Sequence, residues 1–267
     1  MISTAGNPRE SVAAAFDAVA ARYDVEWTDA PAGRAQREQV WRVVGNLFRA
    51  GERVLDLGCG TGADAVRLAR LGVSVHAVDI APEMLAAARR RFEAEGTGSR
   101  VRLELRALED LAALRERGPF DGALSNFGAL NCVADLPRLA SDLSELVRPG
   151  GRVAVCVFGR FCLWEVLWYL ARGDAARALR RRRGVTARSG FAVFYPPVAA
   201  LTAAFRPWFR RLKVRGVGVF VPPSYAASWA NLRPRLLGAL DRLDRVAGRA
   251  PGLRALSDHV LVVFERS

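Results

Sequence analysis

The sequence predicts an α/β fold in which strands and helices alternate around a largely parallel sheet. Residues 53–80 give the first observation, because a short apolar run, three closely spaced glycines, a helical pattern and a second apolar run follow one another there. Further along the chain, apolar runs of strand length keep alternating with amphipathic helical patterns. That alternation is typical of strand–helix–strand units, whose strands lie in parallel.

The hydrophobic periodicity predicts the elements in chain order. Two helices precede the glycine-rich unit, and six further strands follow its first strand. A proline lies in the first turn of a later helix, and the sequence R-P-G-G at 148–151 ends another. The predicted helices cover 11–23, 35–50, 82–95, 136–147 and 198–209, besides the helix that follows the glycines. The predicted strands cover 54–57, 73–78, 101–106, 120–125, 153–158, 212–221 and 260–264.

Length and composition indicate one globular domain. With 267 residues, 51% of them hydrophobic, the chain can bury one sizeable core that carries an additional cap. No window reaches the ~18 consecutive apolar residues of a membrane span, so none is expected. The N-terminus lacks a charged start followed by an apolar segment and does not resemble a secretory signal, so we expect a cytoplasmic location.

The cysteines do not predict a metal or redox site. Cys59, Cys132, Cys156 and Cys162 show no C-x-x-C spacing, and we expect them to be reduced. Because the chain adds only two histidines, a transition-metal site is not expected.

The net charge of +13 comes almost wholly from arginine, since Lys213 is the only lysine. The charges are dispersed except in the sequence R-A-L-R-R-R-R at 177–183. One interpretation is a solvated basic surface, with the arginine run as one charged helix face. The alternatives are attraction to an acidic partner or substrate, or weak binding to nucleic acid or an anionic membrane surface.

The glycines at alternate positions, Gly58, Gly60 and Gly62, predict a ligand site. Glycine lets a turn adopt unusual dihedral angles and lets backbone N–H groups approach a ligand, while the following helix N-terminus favours a negative group. Asp79 follows Gly58 by 21 residues, where a carboxylate accepts hydrogen bonds from a ribose diol. The pattern also fits a nicotinamide dinucleotide, but Asp56 stands before the first glycine, where it could meet an amine.

The string V-L-D-L-G-C-G-T-G resembles the first motif of the class I S-adenosylmethionine-dependent methyltransferases, which typically reads D-x-G-x-G-x-G. The resemblance implies a Rossmann-like sheet of seven mostly parallel strands in the order 3-2-1-4-5-7-6, with strand 7 antiparallel. It implies S-adenosyl-L-methionine as the cofactor and S-adenosyl-L-homocysteine as its product. It also implies cofactor contacts from Asp56, Cys59 and the three glycines.

Three further segments resemble cofactor-binding parts of this family. F-D-A-V-A-A-R-Y-D resembles the N-terminal segment of quinone- and biotin-pathway methyltransferases, which implies that Tyr23 approaches the methionine end of the cofactor; packing on the core is the alternative. In D-I-A-P-E-M-L, Ile80 takes the position that packs on adenine. In A-L-E-D-L, Ala107 replaces an aspartate that often bonds the adenine amino group, which leaves Leu108 for packing and Glu109 as a substitute acceptor.

The crevice of an open α/β sheet lies at the carboxyl ends of its strands. Asn126 and Phe127 follow the fourth strand at that end, so we expect them to border cofactor and substrate. The resemblance implies a single methyltransferase domain over 1–267, with a helical lid at 1–50, the core at 51–158 and 196–267, and a substrate cap at 159–195. The predicted substrate-binding residues are the aromatic residues of the cap, Trp164, Trp168, Phe191, Phe194 and Tyr195, some of which must instead form the core of the cap.

Two residues are candidates for acid–base catalysis. The antiparallel strand 7 starts at the active-site end, which places His259 and the neighbouring Asp258 near the rim of the crevice, where His259 could act as a general base. Tyr23 is the second candidate. Because adjacent residues on a strand face opposite ways, Asp258 need not orient His259, and a structural histidine is the alternative. Glu165 could act as a catalytic acid or base. The alternative is a residue without a catalytic role that is exposed or ion-paired.

These features predict methyl transfer to a small, largely apolar or aromatic acceptor, at oxygen, nitrogen or carbon, of the natural-product type. The main task of such a protein is to align the nucleophile and the methyl group at ~3 to 3.5 Å and to exclude water. A carrier-protein-bound acyl group or a quinone is the alternative acceptor, and an acidic carrier would suit the basic surface. Weaker alternatives are an RNA methyltransferase, for which no binding module is visible, a nicotinamide-dependent enzyme and a binding protein without activity.

Overall fold

The computed structural model describes residues 7–188 and 190–267, and the strands in these ranges form one large and one small sheet. The large sheet has the order β3-β2-β1-β4-β5-β9-β8, and the small sheet pairs β6 with β7. The strands are β1 (Arg53–Leu57), β2 (Ser74–Asp79), β3 (Val101–Leu105), β4 (Phe120–Ser125), β5 (Val147–Phe158), β6 (Val185–Arg188), β7 (Phe191–Phe194), β8 (Phe209–Val217) and β9 (His259–Arg266).

The large sheet has the topology that the sequence predicted. Its first five strands pair in parallel, while β9 runs antiparallel to both β5 and β8. When the β6–β7 hairpin is left out of the count, the order is 3-2-1-4-5-7-6, which confirms the predicted Rossmann-like sheet. The difference in detail is the hairpin itself, which the sequence pattern did not predict.

The α-helices of the described residues cover both faces of the large sheet and extend beyond it. A π-helical turn at Asp24–Thr28 follows α2, and the loop after β3 contains the 3₁₀ segment Leu108–Arg117. The helices are α1 (Pro8–Asp17), α2 (Ala20–Tyr23), α3 (Pro31–Val44), α4 (Ala63–Arg70), α5 (Pro82–Ala94), α6 (Leu136–Leu146), α7 (Leu163–Leu170), α8 (Ala175–Ala178), α9 (Val198–Phe205), α10 (Ser228–Asn231), α11 (Pro234–Ala247) and α12 (Pro251–Arg254).

The core has two layers because successive strand residues face opposite sides. On β1, Leu55 and Leu57 face a layer completed by α6 and α9, whereas Val54 faces a layer completed by α3, α4 and α5. This burial drives the sheet and its helices together. None of the helices in 7–188 and 190–267 is both long enough and apolar enough to cross a bilayer.

Two regions differ from the predicted elements. The helix predicted over 11–23 is divided, since α1 ends at Asp17 and α2 starts at Ala20. Between β8 and β9 the structure places α10, α11 and α12, which the sequence did not predict. The latter two, α11 and α12, begin with prolines that resemble loop signals. Proline is in fact favoured in the first helical turn, where its missing N–H is not needed.

The sheet topology brings one end of β9 to the carboxyl ends of its neighbours. His259 begins β9 and pairs in register with Phe158 at the end of β5 and with Val217 at the end of β8. The segment 159–195 follows β5 directly at this edge. Its hairpin contacts the N-terminal helix, where the rings of Phe16 and Phe191 lie 6.0 Å apart.

Candidate active site

The loop 58–62 joins β1 to α4 and is fixed by backbone hydrogen bonds. The N–H groups of Gly58 and Cys59 donate to the carbonyl of Val78 at 2.9 and 3.0 Å. Gly58, Gly60 and Gly62 have φ angles of 70°, 53° and 78°, in the left-handed region where other residues are strained. The spacing of the three glycines therefore reflects a requirement of the backbone.

The three glycines nevertheless have different surroundings. A Cβ atom at Gly58 would lie 2.3 Å from the Cβ of Ala129, and one at Gly62 would lie 2.6 Å from the ring of Phe92. A Cβ atom at Gly60 would meet nothing within 4 Å. Gly62, the N-cap residue of α4, is held by packing and lies on neither of the two cavities described below.

Asp79 ties the loop to β2. Its Oδ2 accepts a hydrogen bond from the N–H of Gly60 at 2.8 Å, and its Oδ1 accepts one from the N–H of Ala81 at 3.0 Å. Burial raises the pKa of Asp79, and these N–H donors offset part of that effect. The carboxyl group thus holds the glycine loop in place while it faces the neighbouring cavity.

We call this cavity the glycine-loop cavity. Its walls come from the helical N-terminus, the ends of β1, β2 and β4, and the loop after β3. The lining residues are Pro8, Arg9, Val12, Phe16, Tyr23, Gly58, Gly60, Asp79, Ile80, Arg106, Leu108, Glu109, Asn126, Phe127, Ala129, Cys132 and Val133. Most of the residues predicted to bind the cofactor therefore share one cavity.

The loop after β3 contributes two of its three predicted residues to this wall. Leu108 and Glu109 line the cavity, and no described residue bonds the carboxyl group of Glu109. Ala107 is buried as the N-cap of the 3₁₀ segment and does not line the cavity. Cys59 is likewise absent from the wall, and its thiol lies near its own loop, with Sγ 3.7 Å from the carbonyl of Gly60.

Asp56 is buried and reaches neither cavity wall. Its Oδ2 has no hydrogen-bond partner among the described residues. Burial, followed by the nearby charge of Asp64, raises its pKa well above the usual range, and Arg37 opposes this only partly. Asp56 Oδ2 therefore lacks a partner but lies behind the cavity walls, and the predicted amine contact stays a prediction.

Asp64, which the sequence did not single out, organises the floor of the site. Its carboxylate forms an ion pair with Arg37 and accepts hydrogen bonds from Trp41 Nε1 at 2.6 Å and from Asn126 Nδ2 at 3.0 Å. Burial opposes ionisation, but Arg37 and these donors lower the pKa of Asp64 overall. Trp41 is therefore a buried hydrogen-bond donor of the core.

Phe127 is held in an unusual position at the end of β4. Its φ angle of 50° lies in the left-handed region, which is rare for a residue with a bulky side chain. The Oδ1 of Asn126 accepts a hydrogen bond from its N–H at 3.0 Å. Its ring lies between the guanidinium of Arg37, at 4.6 Å, and the imidazole of His259, at 5.0 Å.

A second cavity, which we call the cap cavity, has a volume of about 640 Å³, within the range of small-molecule sites. It shares Phe16, Tyr23, Phe127 and Cys132 with the glycine-loop cavity, so the two are neighbours across a common wall. The other residues that line it include Val19, Trp27, Gln36, Arg37, Phe158, Tyr169, Arg177, Arg180, Arg181, Phe191, Val193, Tyr195, Tyr225, Asp258 and His259.

Only some of the aromatic residues predicted to bind substrate lie on the wall of the cap cavity. Phe191 and Tyr195 line the cap cavity, but Trp164, Trp168 and Phe194 do not. Trp164 donates from Nε1 to the carbonyl of Phe220 at 3.0 Å, and Trp168 stacks with Arg172. Phe194 pairs with Val185 in the β6–β7 hairpin, and the carbonyl of Phe194 accepts a hydrogen bond from Asn131. These three aromatic residues support the cap.

His259 lies on the wall of the cap cavity, where its ring stacks on Phe158 with centroids 4.5 Å apart. Its Nδ1 is 3.4 Å from Oδ2 of Asp258, too long for a regular hydrogen bond, and has no closer partner among the described residues. Burial would raise the pKa of Asp258, but its neighbours His259 and Arg181 lower it overall, so this carboxylate stays ionised. Tyr23 has the opposite character, since burial raises the pKa of its hydroxyl.

The arginine run contributes buried ion pairs, contrary to the expectation of one charged helix face. Arg181 is 4% exposed and donates from Nη2 to Glu165 Oε2 at 2.9 Å and to Asp258 Oδ1 at 2.8 Å. Arg180 also binds Glu165, at 2.9 and 3.0 Å. Glu165 is therefore an ion-paired residue, and its pKa is lowered because these guanidinium groups outweigh burial.

No cluster of histidine, cysteine and acidic side chains in the described part of the chain could hold a metal ion. The site consists of two neighbouring cavities. The glycine-loop cavity has backbone N–H groups and carboxylates on its wall, and the cap cavity has aromatic and basic side chains.

Comparison with known proteins identifies the domain. Residues 54–151, from the second residue of β1 to the fifth residue of β5, match the family described as "Methyltransferase domain". Residues 54–151 are therefore similar to a methyltransferase domain. The match covers the glycine loop, Asp79 and the loop after β3, and it confirms the similarity to the S-adenosylmethionine-dependent methyltransferases that these residues suggested.

Two relatives of the methyltransferase domain are curated proteins with quinone-related names. One is "Ubiquinone biosynthesis O-methyltransferase" of Xanthomonas axonopodis pv. citri (strain 306), 34% identical over 54% of this chain and 59% of the relative. The other is "Demethylmenaquinone methyltransferase" of Mycobacterium sp. (strain KMS), 37% identical over 57% of this chain and 61% of the relative. The chain thus spans about three fifths of the length of these relatives.

A solved structure extends the similarity in fold to nearly the whole chain. The crystal structure named "[4+2]-Cyclase SpnF" superposes with a TM-score of 0.64 and covers 97% of both chains at 16% identity. At that identity the similarity shows the fold alone, including the elements around the methyltransferase domain. Fold does not determine the reaction, and the reaction has to be argued from the site.

Proposed function

We propose that the protein transfers a methyl group from S-adenosylmethionine to a hydroxyl group on a planar, largely apolar acceptor of the quinol type. The observation that carries the proposal is the common wall of Phe16, Tyr23, Phe127 and Cys132 between the glycine-loop cavity and the aromatic cap cavity. A donor in the first cavity and an acceptor in the second would meet there.

The glycine-loop cavity fits S-adenosylmethionine on several counts. Because Gly60 has no side chain and open space beside it, a ligand can come close to its backbone. The carboxylate of Asp79, which bonds the N–H of Gly60, suits a ribose diol. Ile80 and Leu108 provide apolar walls for an adenine ring, and Glu109 provides an acceptor for its amino group. When bound, the cofactor supplies a methyl group that is already activated for displacement.

The methionine end of the cofactor would lie among the buried charges of the site. Arg37 has an Nε without a hydrogen-bond partner among the described residues, which suits a carboxylate. Asp56 has an Oδ2 without such a partner, which suits an ammonium group. Each of these unpartnered groups carries a desolvation cost that a complementary ligand charge would relieve.

The cap cavity suits a flat acceptor that bears a hydroxyl. The rings of Phe158 and Tyr195 lie 6.3 Å apart on its wall, and Phe191 adds a third aromatic side chain. Aromatic walls favour planar rings because stacking adds to the burial of apolar surface. The two relatives named above carry ubiquinone and demethylmenaquinone in their names, which supports an acceptor of this class.

His259 is the residue that we propose as the catalytic base. A proton on Nδ1, directed towards Asp258, leaves Nε2 free to accept the proton of the acceptor hydroxyl as the oxygen–methyl bond forms. Asp258 can orient the imidazole because its carboxylate stays ionised and can accept the Nδ1 proton. Tyr23 suits this role less well, because a raised pKa keeps its hydroxyl protonated, and we assign it to the wall between donor and acceptor.

The test is methyl transfer from labelled S-adenosylmethionine to a catechol that carries a short prenyl chain. We expect labelled product from the purified protein, and a loss of at least ~100-fold in kcat for His259→Gln with S-adenosylhomocysteine still bound. His76→Gln is the matched control, because His76 lies on neither cavity wall and bonds Glu104 instead.

Two outcomes would contradict the proposal. One is thermal stabilisation by NAD but not by S-adenosylhomocysteine, which would favour the nicotinamide alternative. The other is binding of S-adenosylhomocysteine without methylation of any phenolic or quinol acceptor. Since a structural neighbour is named a cyclase, transfer of the label has to be measured as well as binding.

A further inference from the structure

The outer face of α11 carries an unusual row of exposed aliphatic side chains. Leu236, Leu243 and Val246 are 39%, 54% and 72% exposed, and Ala239 lies exposed between them. Their spacing of 3, 4 and 3 residues places them along one side of a helix. Leu232, which precedes α11, is 83% exposed and continues the row by a step of four residues. We call these five residues the α11 stripe.

A second row, of arginines, lies beside the stripe. Arg235, Arg242, Arg245 and Arg249 are exposed and follow spacings of 7, 3 and 4 residues on the adjacent side of the helix. Three of them form no ion pair among the described residues, whereas Arg245 lies 3.6 Å from Asp241 and is still half exposed. The helix and its continuation to Arg249 thus present an apolar row next to a positive row.

The acidic residues of α11 are not available at this surface. Asp241 and Asp244 are buried on the opposite side of the helix, where they accept hydrogen bonds from Gln39 on α3. Asp241 also pairs with Arg42 of α3, and Asp244 accepts the N–H groups of Phe220 and Val221. The inner face of α11 is therefore fixed to the protein, and the exposed charge of its outer face is positive.

We infer that the α11 stripe and the arginines beside it dock the protein on an anionic phospholipid surface. An interfacial helix inserts its apolar side chains among the acyl chains while adjacent arginines bind the phosphate groups. Each arginine near such a surface strengthens binding by about fivefold. This inference goes beyond the proposed methyl transfer and does not depend on it, although a quinol-type acceptor would be found in the same membrane.

The arrangement of charge argues against a second copy of the chain as the occupant. In a twofold-symmetric contact the same patch meets itself, so the arginine row of one copy would approach that of the other. Like charges that meet without acids between them disfavour such a contact. The stripe also lines neither of the two cavities, so its projecting side chains need a partner that can surround them, as acyl chains can.

The test is flotation of the full chain with vesicles of phosphatidylcholine and phosphatidylglycerol at 7:3, a composition that contributes about 30% anionic lipid. We expect the protein to float with these vesicles. Binding to vesicles of pure phosphatidylcholine should be at least tenfold weaker. Binding at about 0.5 M salt should also be at least tenfold weaker, because salt screens the attraction between the arginines and the phosphate groups. The variant L236Q/L243Q/V246Q should lose at least tenfold in binding. R235Q/R242Q/R249Q should lose its preference for anionic lipid.

Matched controls separate docking from general stickiness. Leu105→Gln removes a leucine that is 58% exposed on β3, at the opposite edge of the sheet from β8, and R89Q/R90Q removes two exposed arginines from α5. Both should bind vesicles as the unchanged protein does. All variants should keep the same unfolding temperature and the same response to S-adenosylhomocysteine, because the replaced side chains are exposed.

Three results would overturn the inference. Equal vesicle binding by the stripe variant and the unchanged protein would show that the stripe is not the docking surface. A dimer in solution that L236Q/L243Q/V246Q dissociates would assign the stripe to a second copy. Absence of vesicle binding at low salt would exclude the lipid surface outright, and it would leave the methyl-transfer assay with a water-soluble acceptor unaffected.

Discussion

The Nδ1 atom of His259 lies 3.4 Å from Oδ2 of Asp258, the residue that precedes it in the chain. Adjacent residues of a strand face opposite sides, but β9 begins only at His259, and Asp258 lies in the preceding turn. Arg181 then fixes Asp258 with hydrogen bonds to its Oδ1 and to its backbone carbonyl, at 2.8 and 2.9 Å. A residue from the cap thus positions the partner of the proposed base.

The first prediction concerns this relationship. Asp258→Asn keeps the size of the side chain but removes the charge that orients the imidazole. We expect kcat for the catechol acceptor to fall by at least ~10-fold, with less effect than His259→Gln, while KM and the affinity for S-adenosylhomocysteine stay within about twofold. An unchanged kcat in Asp258→Asn would show that His259 works without an orienting group.

The second prediction concerns the buried arginine. Arg181→Met leaves the carboxylates of Glu165 and Asp258 buried without their shared guanidinium, which should cost about 3–5 kcal/mol in the free energy of unfolding. Arg182→Met, at the exposed neighbouring position, should change it by less than about 0.5 kcal/mol. Urea denaturation of both variants measures the difference, and similar values for the two would contradict the role of the buried pairs.

The pH dependence of Arg181→Met provides an independent check. The pKa of Asp258 is lowered in the folded protein, so its stabilisation is present above the unfolded value of about 3.9 and is lost as the pH falls through the folded value. The unchanged protein should therefore lose stability below about pH 4. Arg181→Met should lose less over the same range, because without the guanidinium the carboxyl group protonates more readily.

The third prediction concerns Asp56, whose shift has the opposite sign. Its pKa is raised by burial and by Asp64, so the folded protein disfavours its ionisation, and stability is lost as the pH rises from about 4 towards the folded value. Asp56→Asn cannot ionise. We expect this variant to be more stable than the unchanged protein at pH 7 but equal to it at pH 4, as measured by thermal unfolding.

The affinity of Asp56→Asn for the cofactor supplies the functional half of that experiment. If the free Oδ2 of Asp56 receives an ammonium group, S-adenosylhomocysteine should bind at least ~10-fold more weakly, since a charged hydrogen bond is worth about 1.5–3 kcal/mol. Higher stability together with unchanged affinity would show that Asp56 serves the fold without contacting the cofactor.

The fourth prediction separates two glycines of the same loop. Gly60→Ala adds a Cβ atom that meets no protein atom within 4 Å, whereas Gly62→Ala adds one that lies 2.6 Å from the ring of Phe92. Both variants pay for a left-handed backbone, at about 1–2 kcal/mol each. We expect Gly60→Ala mainly to weaken S-adenosylhomocysteine binding and Gly62→Ala mainly to lower the unfolding temperature. The reverse pattern would contradict the position of the glycine-loop cavity.

The fifth prediction concerns the cap. Phe191 lines the cap cavity, while Trp168 lies outside it and stacks on Arg172. Phe191→Ala should raise KM for the catechol acceptor by at least ~10-fold, because it removes apolar wall from the acceptor site. Trp168→Ala should leave KM unchanged within about twofold. Initial-rate kinetics at saturating S-adenosylmethionine measure both KM values. An equal KM in Phe191→Ala and Trp168→Ala would contradict the position of the acceptor in the cap cavity.

Local pattern was sufficient to predict the large sheet and the glycine loop. The period of apolar residues and the glycine spacing depend on neighbours along the chain, so β1, the glycine loop and Asp79 were predicted close to their observed positions. The sequence also indicated the order of all seven strands of the large sheet, by resemblance to a family whose first motif it carries. Ala107 and Gly62 show the limit, because motif position alone does not say which residues reach a cavity wall.

The cap cavity and the buried charges depend on contacts between distant residues. Arg181 and Asp258 are 77 positions apart, and Arg37 and Asp64 are 27 apart, so no periodicity links them. The cap aromatics illustrate the same limit, since Phe191 and Trp168 both belong to the segment 159–195 but only Phe191 lines the cap cavity. The sequence by itself determined the sheet and the donor motif, whose signals are local. The tertiary structure decided which side chains share the cap cavity and which buried charges meet, because those outcomes follow from the packing of segments far apart in the chain.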